Sequence, residues 1–282
     1  MTPGKRDKIS LKRILTLYLP LAAAIVFIMF PILWALATSL KTTSQIRGED
    51  VRIFPSPVIP DNYINVWKSS KIQLYFGNSL MISCISVAAI LFLSVCNGYA
   101  LSRFQFKGKK FTTIVLLCTQ LLPVSILIIP LFVIFKNVHL VNTRASVIIF
   151  YIVNNLAFNS ILMKGFIDGI PLEIEEAAKV DGCSRTDCII KIVLPLLIPG
   201  MVAGSAMAFV HCWNEFLVSF SFIQKQAYFT IPVALKYMIS EFDVNFGNLA
   251  AGSMIALSIP VLLFAYIQKY LVGGLSSGSV KG

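Results

Sequence analysis

The chain has 282 residues, of which AVILMFWYC make up 57% and charged residues only 13%, with a mean hydropathy of +0.80. Soluble globular proteins average about 45–50% apolar and about 25% charged, so this composition excludes a water-soluble domain, a disordered chain, a collagen-like chain and a disulfide scaffold. Twenty-four basic against thirteen acidic residues give +11; on so apolar a chain that excess records orientation in a membrane rather than nucleic-acid binding.

Charged side chains are costly in hydrocarbon, so charge-free gaps locate the spans. In chain order the long gaps are 14–40, 72–102, 111–135, 145–163, 192–214 and 244–268. Each holds at least 19 residues, and a spanning helix needs about 20. The runs are continuously apolar rather than alternating, which excludes a β-barrel. The expected fold is an all-α membrane protein. A single transmembrane domain over 1–282 carries six helices, near 14–40, 72–102, 111–135, 145–163, 192–221 and 246–271.

The first span follows Lys5, Arg6, Lys8, Lys12 and Arg13. Its apolar run is too long for a cleavable signal, and no small-residue site follows Trp34, so it is expected to remain as an anchor. With the N-terminus cytoplasmic, fifteen basic residues fall inside and nine outside, the arrangement that the positive-inside rule favours. Both termini are then cytoplasmic. The longest outside connection, 41–71, contains Pro55, Pro57 and Pro60 and is where an external partner could touch. Prolines within the spans (Pro20, Pro31, Pro123, Pro130, Pro195, Pro199, Pro260) fit either ordinary membrane-helix irregularity or a gating hinge.

The inside loop 164–191 breaks the charge pattern. Its 28 residues hold six of the thirteen acids (Asp168, Glu173, Glu175, Glu176, Asp181, Asp187) and net −2. Pro171 suits a first helical position. The three glutamates fall in the first turns, where the helix dipole favours negative charge. Gly182 suits the left-handed stop, and Ser184 with Asp187 resembles a capping box for the next helix. A short cytoplasmic helix, about Pro171–Asp181, is therefore expected between spans 4 and 5. Ile174, Ala177 and Ala178 share a face at i, i+3, i+4. That face is thin and small, which favours docking of another protein over lying on lipid.

These residues carry a family resemblance. Glu176-Ala177-Ala178, Asp181-Gly182, Leu194-Pro195-Leu196 and Pro199 resemble the EAA loop of binding-protein-dependent ABC-importer permeases. Ser39-Leu40-Lys41, Asn78-Ser79-Leu80, Tyr99 to Phe104, Ile129-Pro130-Leu131, Gly165-Phe166, Ile170-Pro171 and Trp213-Asn214-Glu215-Phe216 are similar to the carbohydrate-uptake, maltose-type branch. The ending, Gly273-Gly274-Leu275 through Gly282, resembles the tail of its smaller permease subunit. Cys183, where a small residue is common, and Gly274 are modest departures.

The resemblance implies a cytoplasmic membrane of a bacterium or archaeon. It implies a heterodimer with a second permease subunit, two ATPase subunits and an extracytoplasmic sugar-binding protein. Glu176 would contact the ATPase, and Ala177, Ala178 and Gly182 would permit close packing. Glu175 and Asp181 complete the coupling set, and the C-terminal tail would reach the ATPase dimer. No GxxxxGK[ST] run, catalytic triad or metal-ligand cluster is present in the sequence. The chain is thus expected to be non-catalytic and to bind no cofactor, with ATP and Mg on the separate ATPase. The alternative is a stand-alone ion-driven secondary transporter or channel, but such proteins place paired ionisable groups at mid-membrane.

Within the expected spans Glu215 is the single acid. It lies about 31 Å from Leu194 along a helix at ~1.5 Å per residue, near the outer edge. It fits either a substrate path or gate, or an interhelical hydrogen bond. Asn155 and Asn159, at i, i+4, could bind sugar hydroxyls or join helices. Trp213 and Tyr151 could stack on a sugar ring or serve as interface aromatics. Asn214 completes the substrate-path candidates, and His211 reads as structural.

Overall fold

The structure is a computed structural model that describes residues 14–48, 52–239 and 244–277. The basic flank before the first span and the end of the tail, 278–282, lie outside these residues. The chain forms two compact units. One comprises the described parts of 1–70 with 238–255, the other 71–237 with the described parts of 256–282.

In the first unit a π-helical turn, Ile14–Tyr18, runs into α1, Leu19–Ser39. Pro20 occupies the first turn, where its missing N–H is not needed. None of the most apolar stretch of α1 is buried by the chain, and Phe27 is 82% exposed. A helix apolar on every side requires a non-aqueous surround. α2, Thr43–Arg47, opens on a reciprocal capping box between Thr42 and Gln45. α3, Asp61–Ser69, is tied back by the buried Asn62 amide, which donates to the Ser39 and Lys41 carbonyls at 2.9 and 2.8 Å.

The second unit is built on α4, Ile72–Arg103, a 32-residue helix. α5, Lys109–Thr119, and α6, Val124–Asn137, follow with a 100° bend between them. The third expected span, 111–135, is therefore not one straight helix. Pro123 is the cause: it lacks an N–H for the ladder, and its ring pushes Leu122 out of the helical region. Pro130, inside α6, leaves its helix continuous. α7 is Arg144–Asp168 and α8 is Leu172–Val180. α9, Arg185–Cys188, passes through a π-helical turn, Ile189–Val193, into α10, Leu194–Asn214. The fifth expected span, 192–221, is interrupted: Glu215 and Phe216 leave the helix before α11, Leu217–Phe222. α12, Ile231–Tyr237, follows, and α13, Phe246–Ser277, closes the chain, with its residues up to Ile255 belonging to the first unit. Among the described residues five helices are long and apolar enough to cross a membrane. The bent α5–α6 pair makes a sixth when taken as one span.

Lipid tails are as apolar as leucine, so close approach and polar contacts must hold these helices together. α4 supplies both. Ser79, Ser83, Ser86 and Ser94 are buried along it. At Gly98 an added Cβ would lie 2.7 Å from the Met163 Cβ and 2.8 Å from the Lys164 backbone nitrogen; only glycine lets α4 and α7 approach this closely. At the start of α4, Asn78 donates to the Ala227 and Phe229 carbonyls and accepts from Arg144 at 2.9 Å. Ser79 accepts from the Ile231 N–H. At the far end of α4 an apolar cluster of Tyr99, Met163, Ile167, Ile170, Val193 and Leu197 joins α4, α7 and α10. The acidic loop rests on this cluster.

Candidate coupling site

The short helix falls where the sequence places it. Pro171 stands just ahead of it as N-cap, and Leu172–Val180 is helical. Gly182 takes φ +86°. The Gly182 N–H bonds to the Lys179 carbonyl and the Cys183 N–H to the Ala178 carbonyl, the Schellman pattern that satisfies the last carbonyls. Ser184 then caps α9, accepting from the Asp187 N–H at 3.1 Å. The Asp187 carboxylate pairs with Lys191 at 2.6 Å and takes the Ser184 hydroxyl, and both contacts hold its carboxyl below the usual range.

The two neighbouring glutamates, about a quarter-turn apart on the helix, differ in surroundings: Glu175 is buried and Glu176 exposed. Glu175 is 1% exposed. Its Oε1 accepts from Arg103 Nε at 2.6 Å and its Oε2 from the Tyr99 hydroxyl at 2.9 Å. Arg103 also donates through Nη2 to the Ile170 carbonyl at 2.7 Å. A buried carboxylate without such partners would carry a severe desolvation penalty; here both oxygens are matched. Next to this clamp, Ser102 donates to Asp168 at 2.6 Å, and Lys164 pairs with Asp168. Ala178, one turn after Glu175, is buried beside it.

Glu175, in the coupling set by resemblance, and Ala178, on the face that the i, i+3, i+4 pattern draws with Ile174 and Ala177, are buried on the inner face of α8, whereas Ile174 and Ala177 are exposed. The outer face carries Glu173, Glu176, Ala177 and Val180, all exposed, with Val180 at 88%. Asp181 and Gly182 are exposed at its end. Val180 is absent from the coupling set that the sequence suggests, although helical phase from Glu176, at i+4, places it on the same side. Arg103 is legible as the charge that ends the second span, but not as the partner of Glu175.

The substrate-path candidates divide. Trp213 is 2% exposed; its indole N–H bonds to the Ala256 carbonyl at 3.0 Å, and its ring stacks on Phe209. Asn155 and Asn159 donate to carbonyls one turn back in α7, at 2.8 and 3.0 Å. Glu215 is half-buried and accepts from the Tyr151 hydroxyl at 3.0 Å. Its carboxylate also receives the Val218 and Ser219 N–H groups at 2.7 and 3.2 Å, so it caps α11. Asn214 is exposed and, with His211 and Glu215, lines one part of an open groove of about 740 Å³. Met207, Val210 and Phe264 make the rest of that groove apolar. Among the described residues no three His, Cys, Asp or Glu side chains gather as a metal-holding group.

The family model described as the binding-protein-dependent transport system inner membrane component matches residues 91–277. The sulfoquinovosyl glycerol transport system permease protein of Agrobacterium fabrum is 31% identical over 264 residues, covering 93% of each chain. The trehalose transport system permease protein of Mycobacterium tuberculosis is 32% identical over 259 residues, covering 91% of this chain and 93% of its own. The crystal structure of a bacterial ABC transporter involved in import of the acidic polysaccharide alginate contains a chain with the same fold. Its TM-score is 0.81 at 20% identity, over 95% of this chain and 99% of that one. The chain belongs to the family of inner membrane components of binding-protein-dependent transport systems. It is a multi-pass, non-catalytic permease subunit of an ABC transporter.

Proposed function

We propose that this chain is a permease subunit of an ATP-driven carbohydrate importer, forming half of the translocation pathway as a single domain, with both termini cytoplasmic. A second, different permease completes the pathway. Two ATPase subunits, which carry ATP and Mg, bind the coupling helices, and an extracytoplasmic binding protein delivers the sugar. The observation that carries this reading is the split of α8. Glu175 is fully engaged inside, so Glu173, Glu176, Ala177 and Val180 remain free to meet another protein. Small Ala177 and exposed Val180 permit close apolar contact, while the glutamates supply charge. The carbohydrate class follows the relatives, whose names specify sulfoquinovosyl glycerol, diacetylchitobiose, trehalose and arabinooligosaccharides. ATP binding would favour the transporter state that the ATPase dimer grips more tightly, which shifts the spans between inward- and outward-facing forms.

The test is Glu176→Lys in the assembled transporter. The expected result is normal insertion, loss of the ATPase chains on purification and loss of sugar-stimulated hydrolysis. Normal stimulation in that variant overturns the docking assignment. Uptake of labelled di- and oligosaccharides by cells with and without the chain tests the substrate class.

A further inference from the structure

We infer that Arg103 is a positioning residue for coupling: it fastens the short helix Leu172–Val180 to the end of α4, so that the two move as one body. This inference deepens the docking reading above and rests on it. By chain connectivity α8 is joined only to α7 and α9, through 169–171 and 181–184. Those connections contain Gly169, Pro171 and Gly182, and a pull on α8 carried by them alone would be taken up in turns. The Arg103 guanidinium supplies a third, shorter route. It holds the Glu175 carboxylate at 2.6 Å and the Ile170 carbonyl at 2.7 Å. One planar fork thus spans the N-terminal turn of α8 and the peptide just before it, a geometry that a lysine ammonium cannot reproduce. Tyr99, one turn earlier on α4, closes the other carboxylate oxygen at 2.9 Å. The Arg103 and Glu175 side chains are only 12% and 2% exposed, so water does not readily replace the pair.

α4 is also the helix whose opposite end, through Asn78 and Ser79, holds the 227–231 segment. A displacement of α8 that is passed to α4 is therefore delivered at both ends of the second unit. Without the clamp, an ATPase could still grip the outer face of α8, but α8 would move against α4 rather than with it.

The test uses the whole transporter, with native cysteines replaced and spin labels at Lys179→Cys on α8, outside the docking face, and Phe92→Cys on α4, both exposed. Distances are measured without nucleotide and after trapping with Mg-ATP and vanadate. With Arg103 intact the distance is expected to stay within about 2 Å on trapping, whereas Arg103→Gln should let it change by more than about 2 Å, the scale of element shifts in switching proteins. Hydrolysis should continue in Arg103→Gln, because the docking face is untouched. Tyr99→Phe removes one bond and should give a smaller change; it serves as the test if Arg103→Gln fails to insert. A distance that already changes on trapping with Arg103 intact overturns the inference. So does an unchanged distance in Arg103→Gln, or in Tyr99→Phe where that variant is the test. If the ATPase chains do not co-purify even with the unsubstituted chain, the docking reading itself has failed. That outcome is distinct from a bound ATPase whose pull bypasses Arg103.

Discussion

The Tyr151 hydroxyl donates to the Glu215 carboxylate at 3.0 Å, joining the first third of α7 to the point where α10 stops and α11 begins. The same hydroxyl lies 2.9 Å from the Ser219 hydroxyl. Glu215 thus has a full structural role, since it links helices and caps α11 through two N–H groups. Glu215→Ala should leave the Val218 and Ser219 N–H groups without their acceptor and the Tyr151 hydroxyl with Ser219 alone, at a loss of about 1–3 kcal/mol. Glu215→Gln, which keeps an acceptor oxygen, should lose less. Melting of the purified chain in detergent checks the order. Equal melting of both variants and the parent would remove the capping role.

The outer face of α8 gives a second expectation. Val180→Asp places a charge where Val180 is 88% exposed, so the free chain should fold normally. With α8 docked as proposed, retention of the ATPase on purification should fall by about tenfold or more, since an unpaired charge buried against a partner costs over ~1.4 kcal/mol. Ala178→Asp, on the buried inner face, should instead reduce insertion and melting temperature. Identical phenotypes for the two would contradict the assignment of faces.

Two glycines on α4 offer a contrast of sign. At Gly98 an added methyl meets the Met163 Cβ and the Lys164 backbone, neither of which can swing aside. Gly98→Ala should therefore destabilise by about 1–3 kcal/mol. At Gly77 nothing lies within 4 Å of the added Cβ, and Gly77→Ala should be neutral or raise stability by up to about 1 kcal/mol through helix propensity. Thermal unfolding of the two single variants in one detergent reads the difference.

Asp168, in the acidic loop beyond the charge-free part of α7, supplies the pH dependence. Burial pushes its carboxyl up, but the Lys164 and Ser102 hydrogen bonds outweigh that and hold it below its ordinary value of 3.8. A depressed folded-state value means that the contribution to stability is fully present above about pH 4 and is lost as pH falls through the lowered value. Melting temperature measured from pH 6 down to pH 3 should therefore fall less steeply for Asp168→Asn than for the parent chain. With Asp168 44% exposed at its side chain, solvent screening keeps the difference small.

Charge and hydrophobicity make the helical class, the long helices and the acidic loop legible in the sequence, because these depend on what hydrocarbon tolerates along the chain. The start and stop of α8 are legible for a local reason: Pro171, Gly182 and Ser184 each act within a turn or two. Two things are not. Pro123 breaks its span whereas Pro31, Pro199 and Pro260 lie inside continuous helices, and the apolar residues around each proline do not distinguish the two outcomes. The division between Glu175 and Glu176 depends on Arg103, 72 positions before Glu175. Adjacent acids look alike until that cation picks one. The polar residues of the spans mislead for a related reason: Asn155, Asn159 and Trp213 have backbone carbonyls as partners, and a carbonyl leaves no mark in the sequence.

The division of α8 into a buried and an exposed side, which parts Glu175 from Glu176, makes it a cassette with separable sides. Its seat, Glu175 and Ala178, is held within this chain; its address, the exposed Glu173, Glu176, Ala177 and Val180, would answer to the proposed ATPase partner. The address can be rewritten without disturbing the seat. A permease and an ATPase could thus be recoded together into an orthogonal pair that ignores its natural counterparts, with four outward positions as the alphabet.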